Sequence, residues 1–211
     1  MSDRASLAAD LSEWVRQLAA AGVDGLQLRE KDLDDRDLYG LARLARAAFP
    51  PPSRLLVNGR LDVALAAGAD GAHLPADGVP VAALRRYGRR WGGRPLLGVS
   101  THRLEEVAAA RAAGADYVTF GPVYPTPGKE RYGPPSGLPA LARAATLGIP
   151  VYALGGVTLD RLGEVAAAGA AGAAGIRLFQ EVSRLPELVD AAALAFPRVP
   201  CAPGDAVRRE P

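Results

Sequence analysis

Short apolar runs alternate with longer amphipathic stretches of Ala, Leu and Arg along most of the chain. The runs at Gly25–Leu28, Arg54–Val57, Gly71–His73, Pro95–Val99, Tyr117–Phe120, Val151–Leu154 and Ala173–Ile176 are bounded by turn residues and read as buried strands. Between them, apolar residues recur at helical spacing near Leu7–Ala21, Asp35–Ala48, Asp62–Ala67, Val81–Tyr87, Leu104–Ala113, Leu138–Leu147, Leu159–Ala168 and Pro186–Ala195. Such alternation builds a parallel sheet covered by helices, the α/β class. The first helix has no strand before it. The pattern therefore predicts a (β/α)8 TIM barrel whose first strand is truncated or missing, with Met1 to Arg4 as its stub. An open barrel exposes two strand edges, so either upstream residues or a rearranged N-terminus is expected to close it.

Several helices end alike, at Ala20–Asp24, Ala66–Asp70, Ala112–Asp116 and Ala167–Ala170. Each glycine there reads as a helix C-cap, because a left-handed backbone costs a residue with a Cβ more. Recurrence of this kind suits one barrel built from equivalent units, over residues 1–196. The Pro-rich end, 197–211, reads as a disordered tail.

At 211 residues, 49% hydrophobic and 23% charged, with a formal net charge of +2, the composition is that of a globular domain. No basic block marks a nucleic-acid partner. The longest apolar stretches, such as Val165 to Ile176, fall short of the ~20 residues a membrane span needs. The charged N-terminus lacks the apolar core of a signal peptide, which predicts a cytoplasmic protein. One cysteine, Cys201, excludes an internal disulfide and a cysteine metal cluster. The basic residues are 23 Arg and only two Lys, Lys31 and Lys129, and Asn58 is the one asparagine. Where a sequence so biased still places an ammonium or an amide, chemistry that Arg cannot supply becomes a fair suspicion.

In a barrel the site lies at the C-terminal ends of the strands. Alternation over Gln27-Leu28-Arg29-Glu30-Lys31 puts Gln27, Arg29 and Lys31 on one side, an anion site in outline, although a solvated charged loop has the same composition. Asn58-Gly59-Arg60 is a second candidate or plain turn chemistry. Ser100 and His102 follow a later strand. The long Gly121–Gly133 loop holds Thr126, Gly128 and Lys129 and reads as a substrate loop. Gly155-Gly156, then Ile176-Arg177 one unit on, match the phosphate cradle that barrels build after their last two strands; a tight turn also explains two glycines. His73 and His102 sit at strand ends, where acid/base roles compete with capping or core roles. Neither has metal-ligand spacing. Asp62, Asp70 and Asp77 read as cap or turn residues.

Taken together, QLREK at Gln27–Lys31, NGRLDVAL at Asn58–Leu65, ADGAHLP at Ala69–Pro75, GVSTHRLEE at Gly98–Glu106, DYVTFGPVYPTPGK at Asp116–Lys129 and ALGGVT at Ala153–Thr158 resemble the thiamine-phosphate synthase and TenI family of barrels, from Ser2 to about Phe179. The resemblance implies that Arg29, Lys31, Asn58 and Lys129, with Ser100 nearby, hold a pyrimidine diphosphate or an equivalent anion. It implies that Thr126 to Gly128, Gly156, Ile176 and Arg177 hold a thiazole phosphate. Synthases of the family carry two Mg²⁺-binding aspartates where this chain has Gly59 and Gly78. The TenI tautomerase carries a catalytic His where this chain has Pro122. The lost carboxylates favour the TenI branch, so the expectation is metal-independent tautomerisation of a (carboxy)thiazole phosphate, without cofactor, with His102 and Lys129 as replacement acid/base groups. The alternatives are a Mg²⁺-using synthase joining a pyrimidine diphosphate to a thiazole phosphate, and a non-catalytic sensor of a thiamine-related phosphate. A homo-oligomer is compatible with any of the three.

Overall fold

The computed structural model describes residues 1–7, 10–88, 93–127 and 133–196. Seven parallel strands follow one another in chain order around one curled sheet: β1 (Gly25–Leu28), β2 (Arg54–Asn58), β3 (Gly71–Leu74), β4 (Leu96–Thr101), β5 (Tyr117–Phe120), β6 (Val151–Leu154) and β7 (Gly172–Ala174). Eight helices alternate with them: α1 (Leu11–Ala20), α2 (Asp35–Ala48), α3 (Leu61–Ala66), α4 (Val81–Gly88), α5 (Leu104–Ala112), α6 (Gly137–Ala145), α7 (Leu162–Ala167) and α8 (Leu185–Ala195). The repeated glycines do cap helices, with φ of +83° at Gly22, +73° at Gly68, +86° at Gly114 and +83° at Gly169.

The predicted stub is not a strand. Ser2 N–H donates to the Gln27 carbonyl of β1 at 2.8 Å, and the Met1 amine donates to the Gly175 carbonyl just past β7 at 3.2 Å. Two residues thus bridge the sheet's two edges before the chain turns into a single 3-10 turn at Arg4–Ser6. The first helix starts at Leu11 and not at Leu7, because Asp10 takes the N-cap and its carboxylate accepts the Ser12 and Glu13 amides. The stretch from Leu159 opens as a 3-10 turn and becomes helical only at Leu162. The last strand lies earlier than the apolar pattern suggests, leaving Ile176 and Arg177 in the turn that follows.

Period-two alternation sorts each strand into two faces. Leu26, Leu28, Leu55, Val57, Val118, Phe120, Val151 and Ala153 join the helices in the main apolar core. Gln27, Asn58, His73, Ser100, Tyr117, Thr119 and Tyr152 alternate with these and face the barrel interior together with Leu56, Leu96 and Leu154, so the lumen carries several polar side chains. Glycines make room for its rings. A Cβ on Gly98 would lie 2.1 Å from Tyr117 Cζ, and one on Gly172 would lie 2.7 Å from Tyr152 Cε1.

Candidate active site

Because all the strands run the same way, the residues at their C-terminal ends share one rim. At its β1–β2 side, Gln27 is buried and its side-chain amide donates to Asn58 Oδ1 at 2.8 Å, so these two predicted residues meet. The bond leaves the Asn58 amide group as a donor. Gly59 follows with φ +70°, a backbone that favours glycine, and its N–H donates to the His73 carbonyl at 2.8 Å. Arg29 is half-buried and Lys31 exposed beside them. Arg60 belongs to a different arrangement: it pairs with Asp62 at 2.7 Å and with Asp35, which raises its own pKa and lowers theirs.

Glu30 has the opposite orientation from Arg29, as alternation requires. It is buried, accepts Ser2 Oγ–H at 2.5 Å and the Arg4 amide at 3.1 Å, and so ties the bridging segment to the same loop that carries the cations. Nothing in the local sequence pattern pairs residue 2 with residue 30.

Further round, His73 is 1% exposed inside the barrel. Its Nδ1 lies 2.9 Å from Tyr117 Oη, and its Nε2 lies 2.9 Å from Ser100 Oγ and 3.4 Å from Thr119 Oγ1. Burial, assisted by the positive terminal amine, holds its pKa down at about 4, so the imidazole is neutral near pH 7. His73 is a satisfied interior histidine. Half-buried His102 sits just past β4, with Nδ1 against the Gly121 carbonyl and its amide on Glu106 Oε2 at 2.7 Å. A carbonyl only accepts, so Nδ1 carries a proton in that contact.

The loops after β5 and β6 lock together. Gly155 and Gly156 have φ of +92° and +67°. A Cβ on Gly155 would come 2.7 Å from Pro122, and one on Gly156 would come 2.6 Å from Tyr124 Cβ, so close approach as well as turn geometry demands glycine here. Arg161 donates to the Gly156 carbonyl at 2.7 Å and stacks 4.3 Å above the Tyr124 ring. Tyr124 Oη donates to Glu164 at 2.6 Å; burial and this bond push its phenol up to about 12. Thr126, whose hydroxyl bonds the Tyr124 carbonyl at 2.9 Å, is held by this lock. Sequence reasoning missed Tyr124, Arg161 and Glu164, whose partners are 37 to 40 positions away for the last two. Arg177 is exposed in the turn after β7, with Ile176 before it. Gly128 and Lys129 lie outside the described residues.

The residues present do not fit a protein-held Mg²⁺. No group of three His, Cys, Asp or Glu side chains converges among the described residues. Asp62 is engaged by Arg60, and Asp77 is exposed. At position 78 a Cβ would lie 2.9 Å from Pro75 Cδ and 3.0 Å from its carbonyl oxygen, so Pro75 occupies the space a carboxylate there would enter.

A seven-stranded parallel barrel with its polar candidates gathered at the C-terminal rim is the TIM-like class of α/β fold. It superimposes on the thiamine phosphate pyrophosphorylase of Pyrococcus furiosus with a TM-score of 0.80, at 28% identity over 92% of this chain and 93% of that one. The profile of the thiamine monophosphate synthase family matches residues 1–179, and the chain belongs to that family. A Geobacter sulfurreducens protein with a provisional thiamine-phosphate synthase name is 50% identical over 167 residues, 78% of this chain and 77% of its own. The thiamine-phosphate synthase of Thermobifida fusca is 43% identical over 177 residues, 82% and 79% of the two chains. These names shift the reading from isomerase to transferase, and the tautomerase expectation finds no support among them.

Proposed function

We propose that the chain is a transferase of thiamine biosynthesis that joins a pyrimidine diphosphate to a thiazole phosphate. The observation that carries this reading is Pro122. Tautomerisation needs a group that moves a proton between carbons, and the rim position at which the TenI tautomerase holds its histidine is here a buried proline without a titratable proton. The condensation needs none. The thiazole nitrogen bonds to the pyrimidine methylene carbon, the carbon–oxygen bond to diphosphate breaks, and the electron pair leaves with the diphosphate.

In that reaction Arg29 and Lys31 face the growing negative charge of the leaving group, where fixed cations lower the barrier most. Gln27 and Asn58 present oriented amide groups beside them. Four strands further round the order of the sheet, the locked β5 and β6 loops offer Thr126 and the Gly155-Gly156 backbone to the thiazole phosphate, with Lys129 and Gly128 on the same loop by resemblance. Two anion stations on different sides of one rim suit two phosphorylated substrates. In synthases of the family Mg²⁺ would neutralise the diphosphate; here Gly59 and Gly78 stand at its two ligand positions, and the cations Arg29 and Lys31 remain to meet that charge.

The lost carboxylates favour a second reading, binding without turnover. An NMR time course separates the possibilities. Purified protein with thiazole phosphate, pyrimidine diphosphate and Mg²⁺ should form thiamine phosphate; binding of both without product selects the silent barrel. Accelerated aromatisation of the non-aromatic carboxythiazole phosphate before the pyrimidine is added would restore the tautomerase.

A further inference from the structure

We infer that His73 is a positioning residue of this site: it fixes the Ser100 hydroxyl at the floor of the rim, and Tyr117 fixes the imidazole from behind. The assignment of a ligand to Ser100 rests on the transferase reading above. Ser100 is half-buried near the C-terminal end of β4, on the lumenal face. A serine hydroxyl rotates to suit its partners unless one of them is fixed. Here the partner is fixed. His73 Nε2 lies 2.9 Å from Ser100 Oγ, and Nδ1 lies 2.9 Å from Tyr117 Oη. Tyr117 is wedged above Gly98, where any Cβ would collide with its ring, and meets Tyr152 edge-on with centroids 5.5 Å apart. A rigid chain of contacts therefore runs from the packed tyrosines to the rim.

The imidazole, 1% exposed, is too deep to act on a ligand itself. Being neutral, it adds no positive charge beneath a pyrimidine carbon that turns cationic as diphosphate departs. A neutral imidazole has one donor and one acceptor; Tyr117 engages Nδ1, and at Nε2 Ser100 at 2.9 Å is the nearer partner and Thr119 Oγ1 at 3.4 Å the farther one.

The two amide side chains separate this role from general packing, because Gln reaches where Nε2 lies and Asn only where Nδ1 lies. With the full chain, calorimetric binding of the pyrimidine diphosphate should weaken no more than about threefold in His73→Gln and about tenfold or more in His73→Asn, the worth of one oriented hydrogen bond. Ser100→Ala should resemble His73→Asn, and the double variant should be no weaker than either. Equal weakening in the two His73 variants overturns the inference while leaving the transferase reading intact. If the unaltered chain binds no pyrimidine diphosphate, the transferase reading falls instead, and the ¹⁵N resonance of His73 Nε2 then decides: Ser100→Ala shifts it if the bond holds, and an unmoved resonance overturns the positioning role.

Discussion

At the scale of single residues, His73 couples the lumen to pH. Its pKa is held at about 4 in the folded chain against an ordinary 6.5, so the unfolded chain binds a proton that the folded one refuses. The stabilisation is complete above about pH 6.5 and is lost as the pH falls towards 4. Between pH 7 and 5 this single group should cost about 2 kcal/mol of stability. Urea midpoints of the unaltered chain and His73→Gln, each measured at pH 7 and 5, should show the difference; parallel declines would mean that His73 is charged or exposed in solution. Gly156 carries a second residue-scale prediction. With φ +67° and Tyr124 Cβ 2.6 Å from a new Cβ, Gly156→Ala should destabilise the chain by about 1–3 kcal/mol and weaken thiazole phosphate binding, measured by melting and calorimetry. Gln27 and Asn58 were legible in the sequence, because alternation and placement at strand ends suffice to find them. The partners of His73 were not. Tyr117 begins its strand 44 positions away, and it comes alongside because His73, Gly98 and Tyr117 share one row of the parallel register, in which Gly98 has no side chain to keep the rings apart.

At the scale of elements, the alternating apolar runs located the seven strands and eight helices of the described residues, with end shifts where a cap or a 3-10 turn decides, while the expected strand stub at Met1 to Arg4 proved to be a bridge and a 3-10 turn. The repeated helix endings proved to hold more than glycine caps. Asp70 was expected to be a turn or cap residue, yet it clamps the start of β2: its amide donates to the Leu55 carbonyl and its carboxylate accepts the Leu55 amide, both at 2.8 Å, while Arg46 and Arg54 pair with it. Asp116 does the same to Leu97 of β4, at 2.9 and 2.7 Å, with Arg85 and Arg94. The repeat therefore encodes strand pairing at the barrel's N-terminal face, away from the rim. Asp116→Asn keeps the shape but loses charge on a largely buried acceptor, and should cost about 1–3 kcal/mol. Since that face supports stability and not chemistry, KM and kcat of the folded variant should stay within about twofold. A large change in KM with little change in melting would contradict this division of labour.

At the scale of the whole molecule, the sheet's closure and the site share one segment. The mismatch of eight helices with seven strands announced that something must stand between β7 and β1, but not that two residues and a carboxylate would do it. Ser2 is central: its amide holds Gln27, and its hydroxyl both donates to Glu30 Oε1 and accepts the Arg29 amide at 2.9 Å. Glu30 is a buried carboxylate, so losing the hydroxyl strands two polar groups and should cost about 1–3 kcal/mol in Ser2→Ala. The same hydroxyl fixes the backbone that carries Arg29 and Lys31, the cations assigned to the diphosphate. Through Ser2 the closure therefore orders the diphosphate station; Thr126 and Gly155-Gly156 of the other lie on the β5 and β6 loops, and only the separate Met1–Gly175 bond borders Ile176 and Arg177. Ser2→Ala should accordingly raise KM for the pyrimidine diphosphate several-fold with little effect on KM for the thiazole phosphate, and hydrogen exchange should quicken in β1 and around Gly175 but not in β4 and β5. Equal effects on both substrates, or faster exchange throughout the sheet, would show that the bridge serves global stability alone.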